Sequence, residues 1–535
     1  MIASSSDRAA DAAALLAGAG PLTVLDAAGG SAEIDGAALD ERGRRLAAGL
    51  ERLGIGRGDR VGCWLPNSVA YLTVLSACAR LGAVAVAVNT RFRAAEVQDI
   101  VGRSGCRALF VHPGFVGIDT ETILSRMDAA AMPTLEVVVP VVGTVDTPWA
   151  VVPFLQLTES EPSSTDNAHR DAPFAVFTTS GTTSAPKLVM HRQSSIVDHA
   201  YDVVHALGIS VADTSLITLP LCGVFGFTSF TSGAAAGGAQ VLTATFDAAQ
   251  AATAVSDHGV TVMNATDDMV HRMLEHGGDW SGLRHTGFGR FNNALDDLPQ
   301  RAAAAGWTLV GLYGMSEVQA LYAHRSVDLP FEERTRSGGR LVSPSADARV
   351  VDPDTGEPLP VGVEGELQLK GPSRFAGYLR DGGDGIDEEL TSRHHTDDGW
   401  FRTGDLARME SPVAGSPAGR SFAYIARMGD VLRLGGFLVS PLEIEDQILS
   451  RPGIDAVQVV AVDTERGPQV VAFVICTDEA FHEHEIIEHC RAQLAAFKVP
   501  RRVLPLAEFP MTESANGMKI QKVKLRELAA AQLTS

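Results

Sequence analysis

The sequence predicts an α/β protein: a large N-terminal domain of doubly wound sheets with an all-β subregion, then a small α/β C-terminal domain. Three observations carry that prediction. Short apolar runs such as AVAVAVN and SLITLPL alternate with alanine-rich helical stretches, the pattern of a mostly parallel sheet covered on both faces. From Gly338 to Leu379 the style changes to short strands and turns (ARVVDPDTGEPLP, GELQLKG). Finally, 535 residues exceed what one compact core can organise.

Taken in order, Leu39 to Leu53 reads as an amphipathic helix stopping at Gly54, VGCWLP as a strand, SVAYLTVLSACARLG as a buried helix and AVAVAVN as the next strand. Asp119 to Asp171 is less regular and is expected to cross the surface. SLITLPL, AQVLTAT, VTVMNA and WTLVGLYG are further strands. Arg380 to Asp398, rich in glycine and acid, reads as a mobile surface loop. A smaller α/β unit is expected beyond Ser421, with a boundary near Gly429 that divides the chain into 1–428 and 429–535.

The net charge of −21 disfavours nucleic acid or an anionic membrane as partner. The six cysteines show no CxxC pair and sit mostly in apolar runs, as free buried thiols do. The first twenty residues carry Asp7 and Asp11, lack a cationic start, and read as a helix rather than a signal peptide. With no apolar run of spanning length, a cytoplasmic location is expected.

Chemistry concentrates first in Phe177 to Lys187, FTTSGTTSAPK. Thr179, Ser180, Gly181, Thr182 and Thr183 offer hydroxyls and backbone N–H groups between two apolar runs, and Lys187 adds one ammonium. Such a loop suits a polyphosphate, although polar loops of this composition are commonly plain surface turns. It lacks the GxxxxGK[ST] spacing of a P-loop.

Four more segments follow in order: LYGMSE (Leu312 to Glu317), WFRTGDL (Trp400 to Leu406), ARMGDVLRLGGFLVSPLEIE (Ala426 to Glu445) and NGMKIQKVKLRE (Asn516 to Glu527). With the loop they resemble the adenylate-forming superfamily of acyl- and aryl-CoA ligases, luciferases and nonribosomal adenylation domains. The resemblance spans essentially the whole chain. It implies ATP and Mg²⁺ as cofactors, CoA as co-substrate, and a mobile small domain carrying a catalytic lysine. Glu317 would hold the Mg²⁺, Tyr313 would stack on adenine, and Ser316 stands where the family usually has Thr. Asp405 would accept the ribose hydroxyls and Arg427 would reach the ribose or α-phosphate. Lys519 would stabilise the transition state between carboxylate and α-phosphate, with Lys522 and Lys524 as competitors. Gly429 occupies the hinge position, and Gly435 and Gly436 would lie near the incoming thiol. Ser184 stands where the family usually has Gly.

The substrate pocket departs from the family pattern. Gly223 replaces a common His, and Phe291 and Asn292 stand where small residues keep an acyl tunnel open. A Phe there shortens the tunnel and argues against long fatty chains. Asp267 and Asp268, beside Asn264 and Thr266, would suit a ligand amino or hydroxyl group. Alternatively, Thr266 or Asp267 caps the following helix. Gly314 completes the expected lining. His191, His199 and His271 read as structural or surface residues.

The resulting expectation is ATP-dependent activation of a compact, aromatic acid, followed by transfer to CoA. Activation of nitrite and transfer to an aryl amine, loading of a carrier protein, and a catalytically dead binding protein remain alternatives. Lys187, Glu317, Asp405, Arg427 and Lys519 together weigh against the last. An oligomer is compatible with the sequence.

Overall fold

The structure, a computed structural model, describes residues 8–116, 118–179, 186–291, 295, 297–411, 420–428, 432–434, 437–439, 441–464, 467–476, 481–494, 498–514 and 517–533. Among these, two large sheets occupy the first four-fifths of the chain. The larger has 13 strands. Its parallel half runs through Leu309–Met315, His285–Gly289, Val262–Thr266, Thr214–Ile217, Ala239–Thr243 and Leu22–Leu25. Its antiparallel half is built from Gln319–His324, Gly338–Leu341, Ser421–Arg427, Phe401–Met409, Glu364–Lys370 and Asp347–Val351. The switch between halves falls at Leu309–Met315, which ends in the LYGMSE segment. A second sheet of 8 strands holds Pro173–Thr178 and Leu188–Arg192, the two strands that flank the hydroxyl-rich loop.

Local chemistry explains most elements. Asp35 caps the helix Gly36–Arg52 through Ala38 N–H, and Ser68 caps Val69–Leu81, which closes on the left-handed Gly82. Thr266 caps Asp267–His276 by accepting from Met269 N–H.

Three expectations are corrected. Asp119 to Asp171 does not merely cross the surface: Val137–Pro140 and Ala150–Val151 extend the 8-strand sheet at its edge. The stretch 380–398 carries a helix, Glu388–Arg393, capped by Asp387. Ser421–Arg427 belongs to the large sheet, because it pairs with both Phe401–Met409 and Gly338–Leu341. From Leu432 onward the strands form separate small sheets. Ile454–Thr464, Gly467–Cys476 and Arg502–Pro505 pair together, and Val459, Ala472, Val474, Ile486 and Val503 share their core with residues of the helix Pro441–Leu449. Among the described residues, no helix is long and apolar enough to cross a membrane.

Asp213, just before Thr214–Ile217, ties three of the parallel strands together. It accepts from Arg284 Nε at 2.7 Å, Thr261 Oγ1 at 2.8 Å and Ser210 N at 2.8 Å. Burial pushes its carboxyl up, but these donors, Arg284 first, bring it down to about 2. A depressed folded value stabilises the protein above the unfolded value near 4, and that stability is lost as pH falls toward 2. Asp213→Asn is therefore expected to cost roughly 1–2 kcal/mol at neutral pH. In thermal melts between pH 2 and 7, the gap to wild type should close below pH 4.

Candidate active site

The neck of the loop is a pair of hydrogen bonds: Thr179 N–H donates to Lys187 O at 3.0 Å, and Lys187 N–H to the Thr179 hydroxyl Oγ1 at 3.1 Å. Ser180, Gly181, Thr182, Thr183 and Ser184 lie outside the described residues. Lys187 is half-buried. Its Nζ is 2.8 Å from Nε2 of His394, at the end of the helix Glu388–Arg393, and 5.0 Å from the centroid of the Tyr378 ring. Burial first, and then the Lys187 charge, lower the His394 imidazole to about 4. Above that value His394 is neutral and accepts from the ammonium.

Glu317 follows the strand Leu309–Met315 and is 5% exposed. Tyr378 O–H donates to its Oε1 at 3.0 Å. Burial raises the Glu317 carboxyl, while the Tyr378 hydrogen bond and the charges of Arg427 and Lys187 pull it back. Ser316, beside it, accepts from His191 Nε2 through its backbone carbonyl at 2.7 Å. The next segment is strained: Gln319 and Leu321 adopt φ of 66° and 61°.

Asp405 is 2% exposed on the strand Phe401–Met409. It accepts from Tyr313 O–H at 2.5 Å and pairs with Arg427 Nη1 at 3.1 Å. Strand pairing sets Asp405 directly opposite Arg427. The Tyr313 ring packs edge-on to Phe422 and tilted against Tyr424, so most of it is already covered. Two carboxylates and two cations thus converge, each carboxylate receiving a tyrosine hydroxyl. The cations attract phosphate, and the carboxylates offer acceptors for hydroxyls or a hard cation. Among the described residues no cluster of three acidic, His or Cys side chains could hold a metal. Glu317 is a single buried carboxylate, a hard oxygen donor of the type a divalent cation takes when its other ligands come from water or a bound anion.

Residue by residue, the sequence expectations fare differently. Lys187, Glu317, Tyr313, Ser316, Asp405 and Arg427 are drawn from distant segments; Tyr313 and Asp405 are 92 residues apart. Lys519 lies on Gly517–Ile520, opposite Thr512 in a two-stranded pairing, while Lys522 and Lys524 belong to the helix Lys522–Leu533; the Lys519 side chain is outside the described residues. Asn292, Gly429, Gly435 and Gly436 are outside them as well.

Gly223 precedes the helix Val224–Ala236 at its N-cap. A Cβ on Gly314 would sit 2.4 Å from Ala320 Cα, so the close turn between two strands requires glycine there. The acidic pair separates. Asp267 is 3% exposed and accepts from Phe291 N–H at 2.6 Å and Asp268 N–H at 2.9 Å. Asp268 points outward, 61% exposed and 3.9 Å from Arg272, because adjacent positions in a first helical turn face apart. Asp268 thus does not share the burial of Asp267.

Sequence reasoning missed Tyr378 and His394. Tyr378 could have been noticed in its GYLRDG turn. His394 carries no local signal, since Lys187 is 207 residues away. Tyr378→Phe removes the hydroxyl that lowers the Glu317 carboxyl. The acid limb of kcat/KM for ATP against pH is expected to move to higher pH. An unmoved limb would show that Glu317 is not the titrating group.

The fold and this site define an enzyme that consumes ATP. The AMP-binding enzyme family matches residues 6–379, and the AMP-binding enzyme C-terminal domain matches residues 443–516. The chain belongs to this family and is an ATP-dependent, AMP-producing adenylate-forming ligase. It is 27% identical over 523 residues to the putative acyl-CoA synthetase YngI of Bacillus subtilis, covering 92% of this chain and 91% of that one. It is 30% identical over 519 residues to triostin synthetase I of Streptomyces triostinicus, covering 92% and 89%. Its fold matches ATP-bound MatB from Rhodopseudomonas palustris with a TM-score of 0.79 at 24% identity, over 95% of each chain.

Proposed function

We propose that this enzyme activates a compact aromatic carboxylic acid as its adenylate, releases pyrophosphate, and passes the acyl group to CoA. The observation that carries the compact substrate is the Phe291 ring. A Cβ built on Gly289 would lie 2.7 Å from Phe291 Cε2 and 3.6 Å from Phe225 Cε1, so two aromatic side chains close over that glycine. Phe291, 43% exposed, would narrow the way for a long acyl chain and would offer a flat ring a face to pack on. Similarity to an acyl-CoA synthetase supports CoA as acceptor.

In this reading residues 1–428 bind ATP and the acid, and 429–535 deliver Lys519. Tyr313 contacts the adenosine, Asp405 accepts the ribose hydroxyls, and Arg427 and Lys187 meet the phosphates. Glu317 would hold Mg²⁺, which neutralises charge on the phosphates when bound. The acid's carboxylate attacks the α-phosphorus, the bond to the β-phosphate oxygen breaks, and pyrophosphate leaves. Lys519 lowers the repulsion between the two oxyanions as they approach.

The test is pyrophosphate release with a panel of aryl acids, each with CoA, with nitrite plus an aryl amine, with a carrier protein, or alone. Thioester formation with CoA and an aryl acid is the expected result. Turnover confined to nitrite and amine, or to the carrier, would replace CoA as acceptor.

A further inference from the structure

Lys187, at the exit of the hydroxyl-rich loop, is held by neutral groups. Among the described residues no carboxylate forms an ion pair with its Nζ, and Glu317 acts on it only at longer range. Its partners are Nε2 of His394 at 2.8 Å and the face of the Tyr378 ring at 5.0 Å. Two nearby cations are treated differently. Arg427 pairs with Asp405, and Arg103, which donates to Pro186 O at 2.9 Å, pairs with Asp99 and Asp381. Of these three, Lys187 is the one whose charge no carboxylate cancels.

The His394 imidazole is itself fixed in place. Its backbone N–H donates into the end of the helix Glu388–Arg393, and its carbonyl accepts from Arg402 N–H at 2.8 Å. Its ring meets the Tyr378 ring edge-on at 5.3 Å. Thr391 Oγ1, in the same helix, accepts from Tyr378 N–H at 3.0 Å. Gly377–Tyr378 in turn pairs with Leu188–Arg192, the strand that begins directly after Lys187. Acceptor and lysine therefore belong to one stapled unit. An ammonium has only donors, so Nε2 is the acceptor and the ring hydrogen sits on Nδ1. Beside Lys187 lies a cavity of about 270 Å³, lined also by Arg380, Asp381 and Asp387. On its flexible four-carbon stem, an unheld ammonium has room to turn toward those carboxylates.

We propose that His394 is a positioning residue: as a neutral acceptor it holds the Lys187 ammonium in place for the nucleotide phosphates without cancelling its charge. This rests on the assignment of Lys187 to the phosphates. Ordering the side chain beforehand removes a rotamer cost from nucleotide binding. A carboxylate in the same place would hold the lysine too, but it would spend the charge that phosphate needs and repel the incoming anion.

Calorimetric titration of the full-length enzyme with ATP and Mg²⁺ tests this. It compares wild type, His394→Leu, His394→Gln, His394→Glu, Lys187→Ala and the double variant Lys187→Ala with His394→Leu, with melting temperatures checking folding. Lys187→Ala and His394→Leu are each expected to weaken binding about tenfold, and the double variant no further than Lys187→Ala alone. His394→Gln, which keeps a neutral acceptor, should stay within about threefold of wild type. His394→Glu, equal in size to it, should bind at least about tenfold more weakly than His394→Gln. Wild-type affinity in His394→Leu overturns the proposal. So does a loss from His394→Leu that is as large without Lys187 as with it, since the effect then does not pass through the lysine. Equal binding by His394→Gln and His394→Glu overturns it as well, a comparison that stands even where His394→Leu melts early. Wild-type affinity in Lys187→Ala overturns instead the assignment of Lys187 to phosphate, on which the role of His394 depends.

Discussion

Lys519→Ala is expected to reduce adenylate formation at least ~10³-fold, the scale on which a single charge-stabilising group acts in a water-poor site. Lys519 is placed on a short strand pairing, Met511–Ser514 with Gly517–Ile520, where backbone hydrogen bonds fix its position. Lys522 and Lys524 sit on the following helix. Their alanine variants should keep activity within about twofold, since a helical lysine wholly or partly open to solvent contributes little on its own. ATP–pyrophosphate exchange with an accepted acid reads the effect directly. Binding of ATP should change little, because the lysine is assigned to the transition state rather than the ground state. Near-normal exchange in Lys519→Ala, with loss in Lys522→Ala, would move the role to Lys522.

Asp405→Asn is expected to raise KM for ATP on the order of 10²-fold, with a smaller fall in kcat. The carboxylate is buried, takes a 2.5 Å hydrogen bond from Tyr313 and faces Arg427 at 3.1 Å. As ribose acceptor it would make charge-assisted hydrogen bonds, each worth about 1.5–3 kcal/mol, and an amide can replace only part of that. Tyr313→Phe keeps the carboxylate and ring, so its KM should rise roughly tenfold at most. Calorimetric titration of ATP distinguishes the two variants. An unchanged affinity in Asp405→Asn would show that Tyr313 and Arg427, not nucleotide, are its partners.

How much was legible in the chain differs from one feature to the next. Four strands of the parallel half of the large sheet were readable because they are largely buried on both faces, so apolar runs such as VTVMNA stand out between helical stretches, whereas Leu22–Leu25 and His285–Gly289 were not read. The edge strands Val137–Pro140 and Ala150–Val151 were not, since they lie within a Pro-, Ser- and acid-rich stretch that reads as irregular. The strand Ser421–Arg427 looked like the start of the small unit because sequence distance says nothing about which sheet a strand joins.

The site shows the same division. Lys187, Glu317, Asp405 and Arg427 were each visible because their neighbours in sequence are distinctive: a hydroxyl-rich loop, LYGMSE, a TGD turn, and a strand-ending arginine. That the two carboxylates each receive a tyrosine hydroxyl, and that His394 meets Lys187, depends on segments far apart in the chain.

The sequence by itself determined the family, the use of ATP and the identity of the charged groups, because these reside in short ordered motifs. Tertiary structure alone decided how the side chains around the helix Asp267–His276 are turned. It turned Asp268 to solvent and gave Asp267 to the Phe291 backbone. It also left Asn264 Oδ1 buried against Gly287 with no donor among the described residues. Which polar atom stays unpaired is a property of packing between strand and helix, and no single stretch of residues encodes it.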